Sequence, residues 1–251
     1  NSFSGGTTIS AGSLIASSQS LGTGAIVNNT SLVLNQTIAG TLAGAISGAG
    51  SLTKTGAGAV TLTGANSFSG GTTISSGSLI ASSQSLGTGP IVNNTSLVFD
   101  QSTAGSFAGT ISGTGTLTKT GSGTLTLAGT NSFTGGTTIT SGRLIGNTQS
   151  LVTGAIVNNA SLVLNQTSAG TLSGAISGTG SLIKSGAGTL TLTGVNSFSG
   201  GTTISSGSLI GNTQSFGTGN IVNDASLLLD QATDASFGLV ISGTGSLTKI
   251  G

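Results

Sequence analysis

The tripeptide Asn-Ser-Phe stands at Asn1, Asn66, Asn131 and Asn196, so one unit of 65 residues is written almost four times within 251. No other feature of the chain limits its fold so strongly. A unit that recurs at a fixed period does not close a core of its own; it buries its apolar face by stacking on its neighbours. The chain is therefore read as one continuous solenoid over residues 1–251, with copies at 1–65, 66–130, 131–195 and a shortened 196–251. Because it opens and closes inside a repeat and shows no leader, it reads as a piece of something longer.

The unit subdivides at a Ser-Leu pair or its Thr-Leu and Arg-Leu variants. These fall at Ser13, Ser31, Ser51 and Ser78 and continue through Ser96, Thr116, Arg143, Ser161, Ser181, Ser208, Ser226 and Ser246. The spacings of 18, 20 and 27 residues suit single coils of a β-solenoid, giving about three coils per repeat. Local alternation reads as strand: Leu32 and Leu34 share one face, and Val60 and Leu62 point the same way with Thr61 and Thr63 outward. A helix finds no support, since Gly is abundant, Glu is absent and no apolar stripe of period 3.6 runs through the chain. The expected fold is all-β, a parallel β-helix. At about 4.8 Å per coil, roughly eleven coils would span about 55 Å and each repeat would add about 14 Å.

Glycine marks the corners. Gly5, Gly6, Gly12, Gly24, Gly48, Gly50 and Gly56 have Gly at the same place in every copy. These are expected to sit where a Cβ would clash or strain the backbone. Gly40 and Gly44 are replaced in the last copy by Ala235 and Leu239, so ordinary backbone angles are expected there. Asn28-Asn29 and its counterparts at Asn93, Asn158 and Asn223 read as coil-closing turn residues that take the left-handed region and bond their own backbone. Phe3, Phe68, Phe133 and Phe198 read as core.

Lysine recurs at Lys54, Lys119, Lys184 and Lys249. Alternation from Leu52 aims this side chain inward, but an unpaired buried ammonium is costly and no carboxylate recurs beside it. The expectation is a bent strand near Thr53 and a solvent-facing row of lysines about 14 Å apart, too sparse to bind a polyanion as a stripe.

Composition removes most chemistry. The chain has 5 Lys+Arg and 4 Asp+Glu, a net charge of +1, and no His, Cys, Trp, Tyr or Met. Nucleic acid is not an expected partner, because no basic patch could release counterions and no aromatic platform could stack bases. The longest apolar runs, such as Gly238 to Ile241, are far shorter than a membrane span. Its mean hydropathy of +0.38 and in-register Leu, Ile and Val argue against a disordered linker. Catalysis lacks its usual groups: there is no Ser-His or Cys-His arrangement and no regular pair of carboxylates. Asp100, Asp224, Asp230 and Asp234 are the acids, and they lack the dense spacing of a calcium-binding β-roll. No cofactor, metal or enzymatic role is expected.

One segment resembles a known family. Gly50-Ser51-Leu52-Thr53-Lys54-Thr55-Gly56-Ala57-Gly58, Val60 to Gly64, and Asn66-Ser67-Phe68-Ser69-Gly70-Gly71-Thr72-Thr73-Ile74 resemble the passenger-associated transport repeat of autotransporters. The pattern returns from Thr116 to Ile139 and from Ser181 to Ile204, and begins again at Ser246. The resemblance covers the 27-residue segment of each unit. It implies a right-handed β-helix in the secreted passenger of a Gram-negative type V system, located outside the cell or on its surface, with the repeats aiding secretion.

The expected function is thus a structural or adhesive extracellular scaffold that meets a host or neighbouring-cell surface. A different class is a self-assembling extracellular filament, in which copies associate laterally or end to end. A remote third is ice binding through Thr rows such as Thr61/Thr63 and Thr191/Thr193.

Overall fold

The computed structural model describes residues 1, 4–151 and 154–251. Within them every regular element is a β-strand, and the paired strands run parallel, building a β-solenoid of about 12 turns. The chain parts into two compact units, Asn1–Gly135 and Gly136–Gly251.

In the first unit a coil carries up to three short strands separated by tight corners, and the one with Thr72–Ile74 and Ser78–Ala81 carries two. One coil holds Ile26–Asn28, Ser31–Asn35 and Gly40–Leu42; the next holds Ile46–Ser47, Ser51–Thr55 and Ala59–Leu62. Each strand pairs with its counterpart one coil on: Ile26 with Ile46, Leu32 with Leu52, Leu42 with Leu62. The period-2 alternation of strands then decides the core. On one face the inward column runs Leu14, Leu32, Leu52, Thr72, Ile91 and Ile111. All of these except Leu14 are buried, and Phe68 fills the interior at 0 % exposure. The second unit repeats the plan, with Leu144, Leu162, Leu182, Thr202, Ile221 and Ile241 in one inward column. Phe133 and Phe198 are buried as the sequence suggested; Phe3 lies outside the described residues.

The register corrects the expected coil count. Leu14 reaches Ile111 in five coil steps across 97 residues, or about 19.4 per coil, and Leu144 reaches Ile241 in the same five steps and 97 residues. A 65-residue repeat is therefore about three and a third coils, not three. The 27-residue segment is where the extra third resides. Ser51–Thr55 does not pair with Ser78–Ala81; it pairs with Thr72–Ile74, 20 residues on, while Ser78–Ala81 pairs with Ala59–Leu62 on the next face. Equivalent strands consequently move to a different face with each repeat. In the first unit Ser13–Ala16 joins the sheet of Ser51–Thr55, whereas its repeat-two equivalent Ser78–Ala81 joins that of Ala59–Leu62. In the second unit Arg143–Gly146 and Ser208–Gly211 are separated in the same way, one stacked on Ser161–Asn165 and the other between Thr189–Leu192 and Ser226–Asp230. The axial rise per repeat becomes about 16 Å rather than 14 Å.

Two kinds of glycine hold the corners. Gly48 has φ +100°, and a Cβ there would lie 2.2 Å from the Asn28 carbonyl oxygen; Gly113 and Gly178 match it. Gly24 has no left-handed angle but is crowded, its added Cβ falling 2.3 Å from the Gly6 nitrogen. Gly5, although repeated, meets nothing within 4 Å. Gly40 and Gly44 have ordinary backbone angles, as their replacement suggested, yet both are packed closely against the preceding coil.

Candidate functional site

The most chemically distinctive groups of the chain lie inside it. Four polar side chains recur in each repeat, and each links one coil to another.

The first is the lysine, where the solvent-facing expectation is overturned. Lys54, Lys119 and Lys184 are each at 0 % exposure. Lys54 lies in an inward column between Leu34 and Ile74, so the strand keeps its alternation and does not bend. Its ammonium donates to three backbone carbonyls: Thr55 at 2.8 Å, Gly56 at 2.7 Å and Ser76 at 3.0 Å. Lys184 donates likewise to Ser185 at 2.9 Å, Gly186 at 2.8 Å and Ser206 at 2.9 Å. Lys119 donates to Thr120 and Gly121. Three donors meeting three acceptors is the arrangement that offsets burying an ammonium without a carboxylate. Space for it is made by glycine: a Cβ on Gly77 would lie 2.8 Å from Lys54 Nζ, and one on Gly207 the same distance from Lys184 Nζ. Burial pushes all three lysines below the ordinary value of 10.5, and for Lys119 the Asp100 carboxylate pulls weakly the other way. Lys249, in the exposed final strand, donates to the carbonyls of Gln231, Ile250 and Gly251.

The second is the asparagine of Asn-Ser-Phe. Asn66 Oδ1 accepts from the Ile46 N–H at 2.7 Å, 20 residues earlier, and its Nδ2 donates to the Ser85 carbonyl at 2.6 Å, 19 residues later. Asn196 does the same between Ile176 and Ser215. One amide thus ties three successive coils.

The third is Asn28 with its copies. They are buried, and no residue other than glycine has a positive φ among the described residues, so the expected left-handed turn does not form. The expected local bond does: Oδ1 accepts from the N–H two residues on, that of Thr30, Thr95, Ala160 or Ala225. Meanwhile Nδ2 reaches the next coil, Asn28 donating to Ser51 at 2.8 Å and Asn93 to Thr116 at 2.9 Å. The corner Asn28-Asn29-Thr30 holds no glycine and no positive φ; the left-handed Gly48 lies one coil on, against the Asn28 carbonyl.

The fourth was missed from sequence. Gln36, Gln101 and Gln166 are buried, and their Oε1 atoms accept from the N–H of Ser18, Ser83 and Thr148, each 18 residues earlier. Gln231 does so from Thr213. A Cβ on Gly40 would fall 2.5 Å from Gln36 Nε2, and Gly105 and Gly170 stand likewise against Gln101 and Gln166, whereas the last copy has Ala235 there. The signal available in the sequence was a glutamine at the same place in every copy.

On the outside, open depressions of about 370 and 350 Å³ occur at matching positions, one lined by Ser4 to Thr8, Ala25 and Val27, the other by Ser199 to Thr203, Asn220 and Val222. Neither has an ionisable lining group. In the second copy Pro90 stands at the place of Ala25. The outward column Thr41, Thr61, Ile80, Val98, Thr118 mixes Thr with aliphatic residues, so it does not form the unbroken Thr rank that ice binding calls for. Among the described residues no three or more of His, Cys, Asp and Glu converge, and no helix is long and apolar enough to cross a membrane.

This geometry defines a repeat β-solenoid whose recurring residues join coil to coil. The family model described as passenger-associated-transport-repeat matches residues 1–16, 52–81, 117–145 and 182–210, about two-fifths of the chain, so four segments are similar to that repeat. The matches do not include the stretch from Ser246. Searches of curated proteins and of solved structures returned no match. The fold shows what the repeat comprises. Residues 52–81 hold, but for Ser51, two stacked strand pairs, Ser51–Thr55 on Thr72–Ile74 and Ala59–Leu62 on Ser78–Ala81, and the whole carbonyl cage of Lys54. The repeat is a piece of about one and a half coils that stacks on itself, not a single coil.

Proposed function

We propose that the chain is a structural, adhesive scaffold in the passenger of a bacterial type V secreted surface protein, working outside the cell against a host or neighbouring-cell surface. One observation carries the reading: the matched segments 52–81 and 182–210 coincide with the self-stacking, lysine-caged part of their units, so what recurs is the means of extending a solenoid. In this reading the chain is not an enzyme. The test is surface labelling in the producing cells. Antibody raised against the chain should stain unpermeabilised cells, and external protease should remove the signal; staining only after permeabilisation refutes the proposal.

A second reading, a self-assembling extracellular filament, is favoured by the outward columns. Ile15, Val33, Thr53, Thr73, Val92 and Ser112 form one uncharged, mostly β-branched column. Such faces lack the charges that keep sheets apart. Electron microscopy of the concentrated chain separates the readings: laterally bundled fibres support the filament, dispersed single particles the scaffold.

A further inference from the structure

We propose that the buried lysine of each repeat is a register lock, which forces each coil to pair with the next at one alignment only. The need for such a device follows from the strands. A slip of one residue exchanges the inner and outer faces and is rejected by the core. A slip of two residues keeps the faces, and the alternating pattern does not oppose it. Ser51–Thr55 carries Leu52 inward with Thr53 and Thr55 outward, and Thr72–Ile74 of the following coil carries Thr72 and Ile74 inward, so Leu52 fits opposite either of these.

Lys54 breaks that degeneracy. In the native alignment it stands opposite Leu34, beside the corner where the carbonyls of Thr55, Gly56 and Ser76 converge. The acceptor at Ser76 and the cleared space at Gly77 come from the following coil, so the lysine reads the position of that coil as well as of its own. A two-residue slip against a neighbouring coil displaces the ammonium by about 6.6 Å relative to it. A slip against the following coil leaves the ammonium the Thr55 and Gly56 carbonyls, which move with it, but removes the Ser76 acceptor and the space at Gly77. An unpaired donor on a buried charge is costly. A hydrophobic side chain of similar length would fill the native position as well, but would fill the slipped one equally. On this argument the lysine contributes specificity rather than net stability.

The absence of cysteine from the chain permits a direct test. Thr53 and Thr73 face outward directly opposite each other in the native register. A Thr53→Cys, Thr73→Cys pair has Cα atoms about 4.8 Å apart and suits a disulfide. Thr73→Cys with Ser51→Cys or with Thr55→Cys is about 8 Å apart unless the strand slips by two. Each pair is built into the full chain with Lys54 retained and with Lys54→Met, refolded from urea under mild oxidant, and scored by non-reducing peptide mass spectrometry. With Lys54 the native pair alone should cross-link. With Lys54→Met the fold and its urea midpoint should persist, and the off-register cross-links should rise by about tenfold or more. Two results overturn the proposal: unchanged off-register yield in a folded Lys54→Met chain, or failure of that chain to fold, which would make the lysine a stabilising group instead.

Discussion

Replacing Asn66 by Ala tests whether the asparagine of the repeat signature ties three coils together. The substitution removes two short bonds, from the Ile46 N–H at 2.7 Å and to the Ser85 carbonyl at 2.6 Å, at a residue 8 % exposed. It leaves a buried donor in the preceding coil and a buried acceptor in the following one. Each costs about 1–3 kcal/mol when unsatisfied. Releasing the asparagine rotamers returns part of this, which leaves a net loss of about 3 kcal/mol. Repeat arrays open locally, so a global unfolding midpoint would blur the effect. Amide hydrogen exchange at Ile46 reads it directly: about 3 kcal/mol corresponds to protection falling by roughly a hundredfold. Exchange should also quicken at neighbouring amides of both flanking coils. The equivalent Asn196→Ala should reproduce this at Ile176, whose N–H bonds Asn196 at 2.7 Å. Protection of Ile46 unchanged within about threefold, less than about 1 kcal/mol, would refute the three-coil role.

Two further outcomes follow from the corners and the lysines. Gly48→Ala should destabilise the chain by about 3 kcal/mol or more in urea denaturation, because φ +100° is combined with a 2.2 Å approach to the Asn28 carbonyl oxygen. Gly5→Ala, which meets nothing, should stay within about 0.5 kcal/mol of the parent. For pH, burial holds Lys54, Lys119 and Lys184 below 10.5 in the folded state. Between the folded and unfolded values the unfolded chain binds more protons, so stability should rise with pH from the lowered folded value up to about 10.4. The urea midpoint followed across the alkaline range should show that rise, and the triple Lys→Met chain should lack it.

Much of the fold could be read from the residues. The 65-residue period, the alternation around Leu32 and Leu34, the core role of Phe68 and Phe198 and many of the glycine corners all follow from local rules of strand and turn chemistry. The coil length did not follow. Counting from one Ser-Leu pair to the next assumes that such pairs stack, and Ser51 and Ser78 do not; strand pairing is a relation between coils that spacing alone leaves open. The lysine was misjudged for a related reason. Alternation pointed it inward, but its acceptors are the carbonyls of Thr55, Gly56 and Ser76, and a main-chain oxygen has no letter in a sequence. Gln36 was overlooked for the same cause, since its partner is the Ser18 N–H. Asn28 reads from the sequence as a left-handed corner, whereas its corner has no positive φ and its side chain bonds the next coil.

The third of a coil by which the repeat exceeds three whole turns has a consequence for how such arrays grow and shrink. Gaining or losing one 65-residue copy by recombination changes the length by about 16 Å and turns all that follows by about a third of a revolution. Within the first unit Ser13–Ala16 and its equivalent Ser78–Ala81 already lie on different faces, so a surface mark placed in one copy is aimed in a new direction by the next duplication.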